Sequence, residues 1–159
     1  MIQSLTTWLA TLALLCLLGA VAVVDARSKR IPDWLNAIFI CAGLYVTWIL
    51  GRSILDALIG VIVGYGALFL LNEGFRRVRG RDGIGMGDAK FLAGAGAWLG
   101  WRGLPFVLLF AALFGLAYVG LRAAFGRKLE RADELPFGPA LAGATFVVWC
   151  VLFLVASSL

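Results

Sequence analysis

The chain contains no histidine. That absence removes the commonest general base, the Ser-His and Cys-His nucleophile systems and the usual zinc sites together. Charge is scarce as well. Only 14% of the residues are charged and 62% are apolar, with a mean hydropathy of +0.97. A soluble domain carries about 25% charged and about 45–50% apolar residues. The departure points to an integral membrane protein, because a spanning helix needs about 20 consecutive apolar residues. Cysteine is sparse too. Cys16, Cys41 and Cys150 stand alone inside apolar runs with no CxxC pair, so neither a zinc site nor a redox pair is signalled, and each reads as a small hydrophobe. There is no metal-ligand cluster, and neither a metal nor a cofactor is expected. The sequence pI of 9.6 does not signal nucleic acid. The basic residues lie in the breaks between apolar runs, so the expected surroundings are membrane lipid.

Six apolar runs are legible, over roughly 5–24, 34–50, 54–71, 89–99, 104–121 and 137–155. The fourth is short and rich in Gly and Ala, which suggests a short or partly re-entrant helix. Twelve of the 14 basic residues fall after the first, third and fifth runs: Arg27, Lys29, Arg30; Arg76, Arg77, Arg79, Arg81, Lys90; Arg122, Arg127, Lys128, Arg131. Arg52 and Arg102 fall in the other breaks. The positive-inside rule puts the basic side in the cytoplasm. The expected fold is therefore all-α, a polytopic membrane protein of about six transmembrane helices with both termini on the non-cytoplasmic side. The first run lacks a basic leader stretch and a small-residue cleavage site, so it reads as a retained span, not a signal peptide. The polar stretches around 72–88 and 122–136 are too short to fold alone. Residues 1–159 read as one membrane-embedded domain.

The nine acidic residues divide by context. Asp56 belongs to the outer side. Glu73 and Asp82 stand among arginines and are expected to pair with them. Glu130, Asp133 and Glu134 interleave with Lys128 and Arg131 in a solvated loop. Asp33 follows Pro32 and falls in a helix's first turn, where negative charge is favourable. Asp25 and Asp88 differ from these. Asp25 closes the first apolar run and Asp88 opens the fourth, so both sit at the cytoplasmic edge on different helices. An ionisable group there is a candidate for function. Two carboxylates brought together can share one proton, so that one acts as base and the other as acid. Taken singly, each has a plainer use: Asp25 as a boundary charge beside Arg27, Asp88 as the N-cap of the fourth helix. The glycines also have a packing use, since Gly60-Val-Ile-Val-Gly64 and Gly96-Ala-Trp-Leu-Gly100 carry the small-xxx-small spacing of close helix contacts.

Three segments carry a family resemblance: Asp25 with Arg27, Lys29 and Ile31-Pro32-Asp33-x-x-Asn36; Gly85-Met86-Gly87-Asp88-Ala89-Lys90; and Leu135-Pro136-Phe137-Gly138-Pro139-Ala140-Leu141-Ala142. In this order the chain resembles the type IV prepilin peptidases, bacterial membrane aspartic proteases of the wider Gly-x-Gly-Asp group that includes the presenilin-like enzymes. The resemblance implies cleavage of type IV prepilins or pseudopilins in the bacterial inner membrane. Such substrates carry a short basic leader, then a glycine, then a hydrophobic helix, and are cut after that glycine at the cytoplasmic face. Asp25 and Asp88 match the catalytic aspartates. Gly85, Gly87, Lys90, Pro136, Gly138 and Pro139 are candidates for binding substrate or positioning loops. Larger bifunctional members have an added amino-terminal stretch with two cysteine pairs and also methylate the new terminus. This sequence starts directly in the first span, so a peptidase-only form is expected.

Helix dipoles favour an anion at an N-terminus and disfavour one at a C-terminus. Asp88, opening its helix, is thus the expected base, and Asp25, closing its own, the expected acid; Arg27, Lys29 and Arg30 act against that assignment. Lys90 is two residues from Asp88 and does not share its helix face, so it is expected to hold the loop or neutralise charge. Pro136 and Pro139 either bend the entry to the last helix or simply start it. The alternating glycines 83–87 are expected to form a flexible loop allowing close backbone approach. The alternative function is a proton- or cation-coupled transporter, whose carboxylates lie near the bilayer midplane on broken helices.

Overall fold

The structure, a computed structural model, describes residues 2–28, 31–80, 85–125 and 137–154. Six α-helices account for almost all of them: α1 Ile2–Ser28, α2 Asp33–Ile49, α3 Ile54–Arg79, α4 Met86–Leu99, α5 Leu104–Ala124 and α6 Phe137–Leu154. A short 3-10 turn, Trp101–Gly103, leads into α5. Three segments, Leu5–Ser28, Ile54–Arg79 and Trp101–Arg122, are long and apolar enough to cross a membrane. Asp33–Ile49 and Phe137–Phe153 are shorter apolar helices.

Local chemistry sets the ends. Pro32 precedes α2 in an extended conformation, and its carbonyl accepts from the N–H groups of Leu35 and Asn36. Ser53 caps α3 by accepting from the Asp56 N–H at 3.2 Å, the usual use of serine there. Gly80 ends α3 with a left-handed φ of 69°, a conformation that penalises a side chain. As expected, Asp33 lies in the first turn of α2. Glu73 pairs with Arg76 and Arg77 at 2.6 and 3.0 Å. Asp82 and the acidic loop residues Glu130, Asp133 and Glu134 lie outside the described residues.

The fourth run is the hub. It forms a complete helix of 14 residues, only about 21 Å long at the usual rise. Every residue from Phe91 to Gly100 is buried. A helix can be enclosed this fully only if its neighbours come close, and glycine permits that. The two small-xxx-small motifs meet each other. A Cβ added to Gly60 would fall 2.9 Å from the Gly96 carbonyl carbon, and one added to Gly64 would fall 2.5 Å from the Leu92 oxygen. Gly100 completes the row against Asp56. These pairings run α3 and α4 antiparallel. On its other side α4 lies parallel to α2. Gly43 admits Trp98, Phe39 stacks on Phe91 at 5.2 Å, and Thr47 donates to the Ala97 carbonyl at 3.0 Å.

An aromatic row then ties the bundle together lengthwise. Trp98 stacks on Phe39, meets Trp149 edge-on at 5.6 Å, and donates its ring N–H to the Phe39 carbonyl. Trp149 stacks on Phe153, over which the Arg52 guanidinium lies at 4.3 Å. Arg52 also donates to the Trp98 carbonyl at 2.7 Å, with Asp56 close enough to act on its charge. The helices thus alternate in direction. Asp25, Asp88 and Gly138 share one end of the bundle; Arg52, Asp56 and Trp101 mark the other.

Gly96→Val is expected to lower stability in detergent by about 1–3 kcal/mol or more, because the new methyl groups meet backbone that has no free room. Gly66 has nothing within 4 Å of an added Cβ, so Gly66→Ala is expected to be neutral or stabilising by about 0.5–1 kcal/mol. Thermal unfolding of both variants checks the pair.

Candidate active site

Asp25 occupies the last turn of α1 and is buried, while Ala26 and Arg27 beside it are exposed. A charge-bearing group is enclosed at a helix end where water stands one residue away. Its anchor comes from α6: the Gly138 N–H donates to Asp25 Oδ2 at 3.1 Å. The approach leaves no room for a side chain, since a Cβ on Gly138 would fall 2.6 Å from Asp25 Cγ. This is why glycine stands at 138. The antiparallel packing of α6 on α1, fixed further along by Trp149 donating to Thr11 Oγ1 at 3.0 Å, brings that N–H to the carboxylate. The reading of Asp25 as a boundary charge beside Arg27 does not describe this enclosed, anchored group.

Asp88 is half-buried in the first turn of α4. It is not the N-cap; Gly85 is, and no side chain caps the helix. Its own N–H donates to the Gly85 carbonyl at 3.0 Å. Met86 and Gly87 are already helical, so the expected glycine loop is shorter than the motif, and residues 81–84 lie outside the described residues. Asp25 acts electrostatically on Asp88. Two carboxylates on separate helices therefore lie at one end of the bundle within electrostatic reach of each other.

The other candidates distribute unevenly. Lys90 does not serve Asp88; its Nζ reaches Asp33 Oδ1 at 2.5 Å and joins α4 to the start of α2. Gly87 lies against Ile31, where an added Cβ would make only ordinary contact at 3.5 Å. Gly85 is exposed, with φ of −66°. Neither position carries a positive φ, so this chain's own packing does not require glycine at either. Pro139 falls in the first turn of α6, where its missing N–H leaves no bond unmade. Pro136 lies outside the described residues. No group of three or more His, Cys, Asp or Glu residues suited to a metal ion occurs among the described residues.

The sequence profile of the type IV leader peptidase family matches residues 12–120. The chain belongs to that family. It is 43% identical over 135 residues to a prepilin leader peptidase/N-methyltransferase of Burkholderia pseudomallei strain 1026b, covering 84% of this chain and 43% of the relative. It is 38% identical over 144 residues to the enzyme of the same name from Aeromonas hydrophila, covering 89% and 49%. It is also 38% identical over 144 residues to leader peptidase HopD of Escherichia coli, covering 87% of this chain and 93% of that one. The chain thus spans about half the length of the first two relatives. No solved structure matches.

Two features of the site are not legible in the sequence. The Gly138 anchor joins residues 113 positions apart, and no local pattern announces it. The α6 N-terminus it belongs to also supplies Asp25 with the positive end of a dipole. Asp88 has the same from α4, so the dipole argument no longer separates acid from base. Asn36 is the other. It is 2% exposed on the face of α2 that meets α4; it belongs to the first of the three motifs, but nothing in the sequence announces its burial.

Gly138→Ala is expected to displace the Asp25 carboxyl, shifting its infrared band, and to lower stability by about 1–3 kcal/mol through the lost hydrogen bond. An unshifted band would show that the α6 N–H does not hold this carboxylate.

Proposed function

We propose that this member of the leader peptidase family is a membrane aspartic endopeptidase. It removes the short basic leader of type IV prepilins or pseudopilins at the cytoplasmic face of the bacterial inner membrane. One observation carries the reading: in a chain of this family, Asp25 and Asp88 lie at one end of the bundle within electrostatic reach of each other. The chain acts as one membrane-embedded domain with six spanning helices. The short α4 is sheltered from lipid by its neighbours, which lets a helix of 14 residues serve as one of the six. The dyad end is cytoplasmic, since Arg27, Arg76, Arg77, Arg79 and Lys90 crowd it, and both termini face the other side. Cleavage without methylation is supported by the match along nearly all of a protein named only as a leader peptidase.

The pair holds one proton and titrates as a unit. The ionised carboxylate takes a proton from water as the water oxygen attacks the scissile carbonyl carbon. The protonated carboxyl gives its proton to the carbonyl oxygen, forming a gem-diol. On collapse one gem-diol hydroxyl returns its proton to the carboxylate that had protonated the carbonyl, the carbon–nitrogen bond breaks, the amine leaves with a proton from the carboxyl that accepted one from water, and a new carboxyl terminus and a singly protonated pair remain. Gly138 holds Asp25 in register for this exchange. The exposed Gly85 leaves open backbone near Asp88, against which an extended substrate strand can lie, and Gly87 positions that turn against Ile31. A transporter reading fits less well, because both carboxylates lie at helix ends and neither α1 nor α4 is broken.

Purified protein in detergent is expected to cleave a prepilin, and Asp25→Asn or Asp88→Asn each to reduce the rate at least about 10³-fold; cleavage surviving either change would sink the dyad. The pH dependence of kcat/KM is expected to be bell-shaped, as a proton-sharing pair requires. Gly85→Ala is expected to leave the melting temperature unchanged while raising KM, because its Cβ would obstruct substrate and not this chain. An unaltered KM argues against strand docking at Gly85.

A further inference from the structure

Asn36 has no place in the chemistry above, and its burial is difficult to explain by stability. Neither Oδ1 nor Nδ2 has a hydrogen-bond partner among the described residues, and the residue is 2% exposed. A buried amide left unpaired costs about 1–3 kcal/mol per group, whereas an apolar residue of similar shape would carry no such penalty. A native bundle retains such a group when it has a working partner.

Register says where that partner is. Asn36 shares the face of α2 that carries Phe39, Gly43 and Thr47, all of which meet α4. Ile31 lies against Gly87, Asp33 reaches Lys90, and Phe39 lies against Phe91 and Gly94. Between these contacts Asn36 comes beside the turn of α4 that runs from Asp88 to Phe91. The titratable groups near it are Asp33 on its own helix, Asp88 and Lys90 on α4, and Asp25 across the pair from α1. Asp33 and Lys90 are engaged with each other. Asp25 is anchored by the Gly138 N–H, whereas the Asp88 carboxylate has no such anchor among the described residues. Both amide atoms are sealed, with no void beside them for a water, so the partner that fits is a side chain that turns toward them, and the half-buried Asp88 carboxylate is the acceptor on that turn.

We propose that Asn36 is a positioning residue for Asp88: the half-buried Asp88 carboxylate, on turning inward, accepts from the unpartnered Asn36 carboxamide, which fixes its orientation toward Asp25. The two aspartates are then held by different means, Asp25 by a backbone N–H from α6 and Asp88 by a side chain from α2. This inference rests on the dyad reading, and its test does not depend on cleavage alone.

The experiment uses the full chain in detergent, with Asn36→Leu and Asn36→Asp. Asn36→Leu is expected to keep or raise the melting temperature and to lower kcat for a prepilin about 10–100-fold, as loss of a supporting partner does, with KM within about twofold. The pH profile is expected to shift in both variants, since Asn36→Asp adds a third carboxylate beside the pair. Substrate-free infrared spectra, with the Asp88 band assigned from Asp88→Asn, are expected to show that band moved in both. A moved band in protein that cleaves no prepilin upholds the Asn36 contact and removes the peptidase reading. An unmoved band with an unchanged pH profile overturns the proposal, whatever the rates. Should Asn36→Leu fail to fold, the Asn36→Asp band and profile decide in the same way.

Discussion

Gly60 and Gly96 meet backbone to backbone, and the position of Asp88 depends on that contact. Helix α4 is too short to cross a bilayer alone and carries a carboxylate in its first turn. It can exist only if other helices cover it. Glycine on both sides of the α3–α4 seam lets the axes approach until backbone touches backbone, and Gly43 and Gly94 do the same toward α2. In a membrane, where apolar side chains gain little by leaving lipid for protein, such close packing is the main source of helix association. The glycines that weaken α4 as an isolated helix are what secure it in the bundle.

Enclosure of α4 has a chemical consequence. Its first turn emerges at the end of the bundle where α1 finishes and α6 begins, so Asp88, Asp25 and the Gly138 N–H converge there. The aromatic row running from Phe91 through Trp98 and Trp149 to Phe153 fixes the same helices at a distance. Rigidity along the bundle thus supports a site made from helix ends, where each carboxylate has a helix N-terminus at hand and exposed residues adjoin it.

The two ends of the molecule use their charges differently. At the far end Arg52 is held by a carbonyl and an aromatic face with Asp56 nearby, and Asp56 accepts from the Trp101 ring N–H. These charges close the α2–α3 turn over the end of α4. At the dyad end Glu73 is paired with its arginines and Lys90 with Asp33. Asp25 and Asp88 have no cation bound to either among the described residues. That contrast makes the pair readable as chemistry and the other charges as structure.

Apolar runs, their count and the side on which basic residues gather follow from composition and periodicity, because a bilayer enforces both along the chain. The order of three motifs sufficed to single out Asp25 and Asp88. Other features were decided only by the fold. Asp88 stands at the third helical position behind Gly85, because the helix begins three residues earlier than its apolar run. Lys90 turned to Asp33, because α2 lies parallel to α4 and presents its first turn there. Gly138 proved to hold Asp25, and Asn36 to be buried without a partner among the described residues. The sequence could determine which residues a membrane would accept and where a carboxylate would be conspicuous. Which groups meet across helices was decided by packing distance, a quantity set between segments and written in none of them alone.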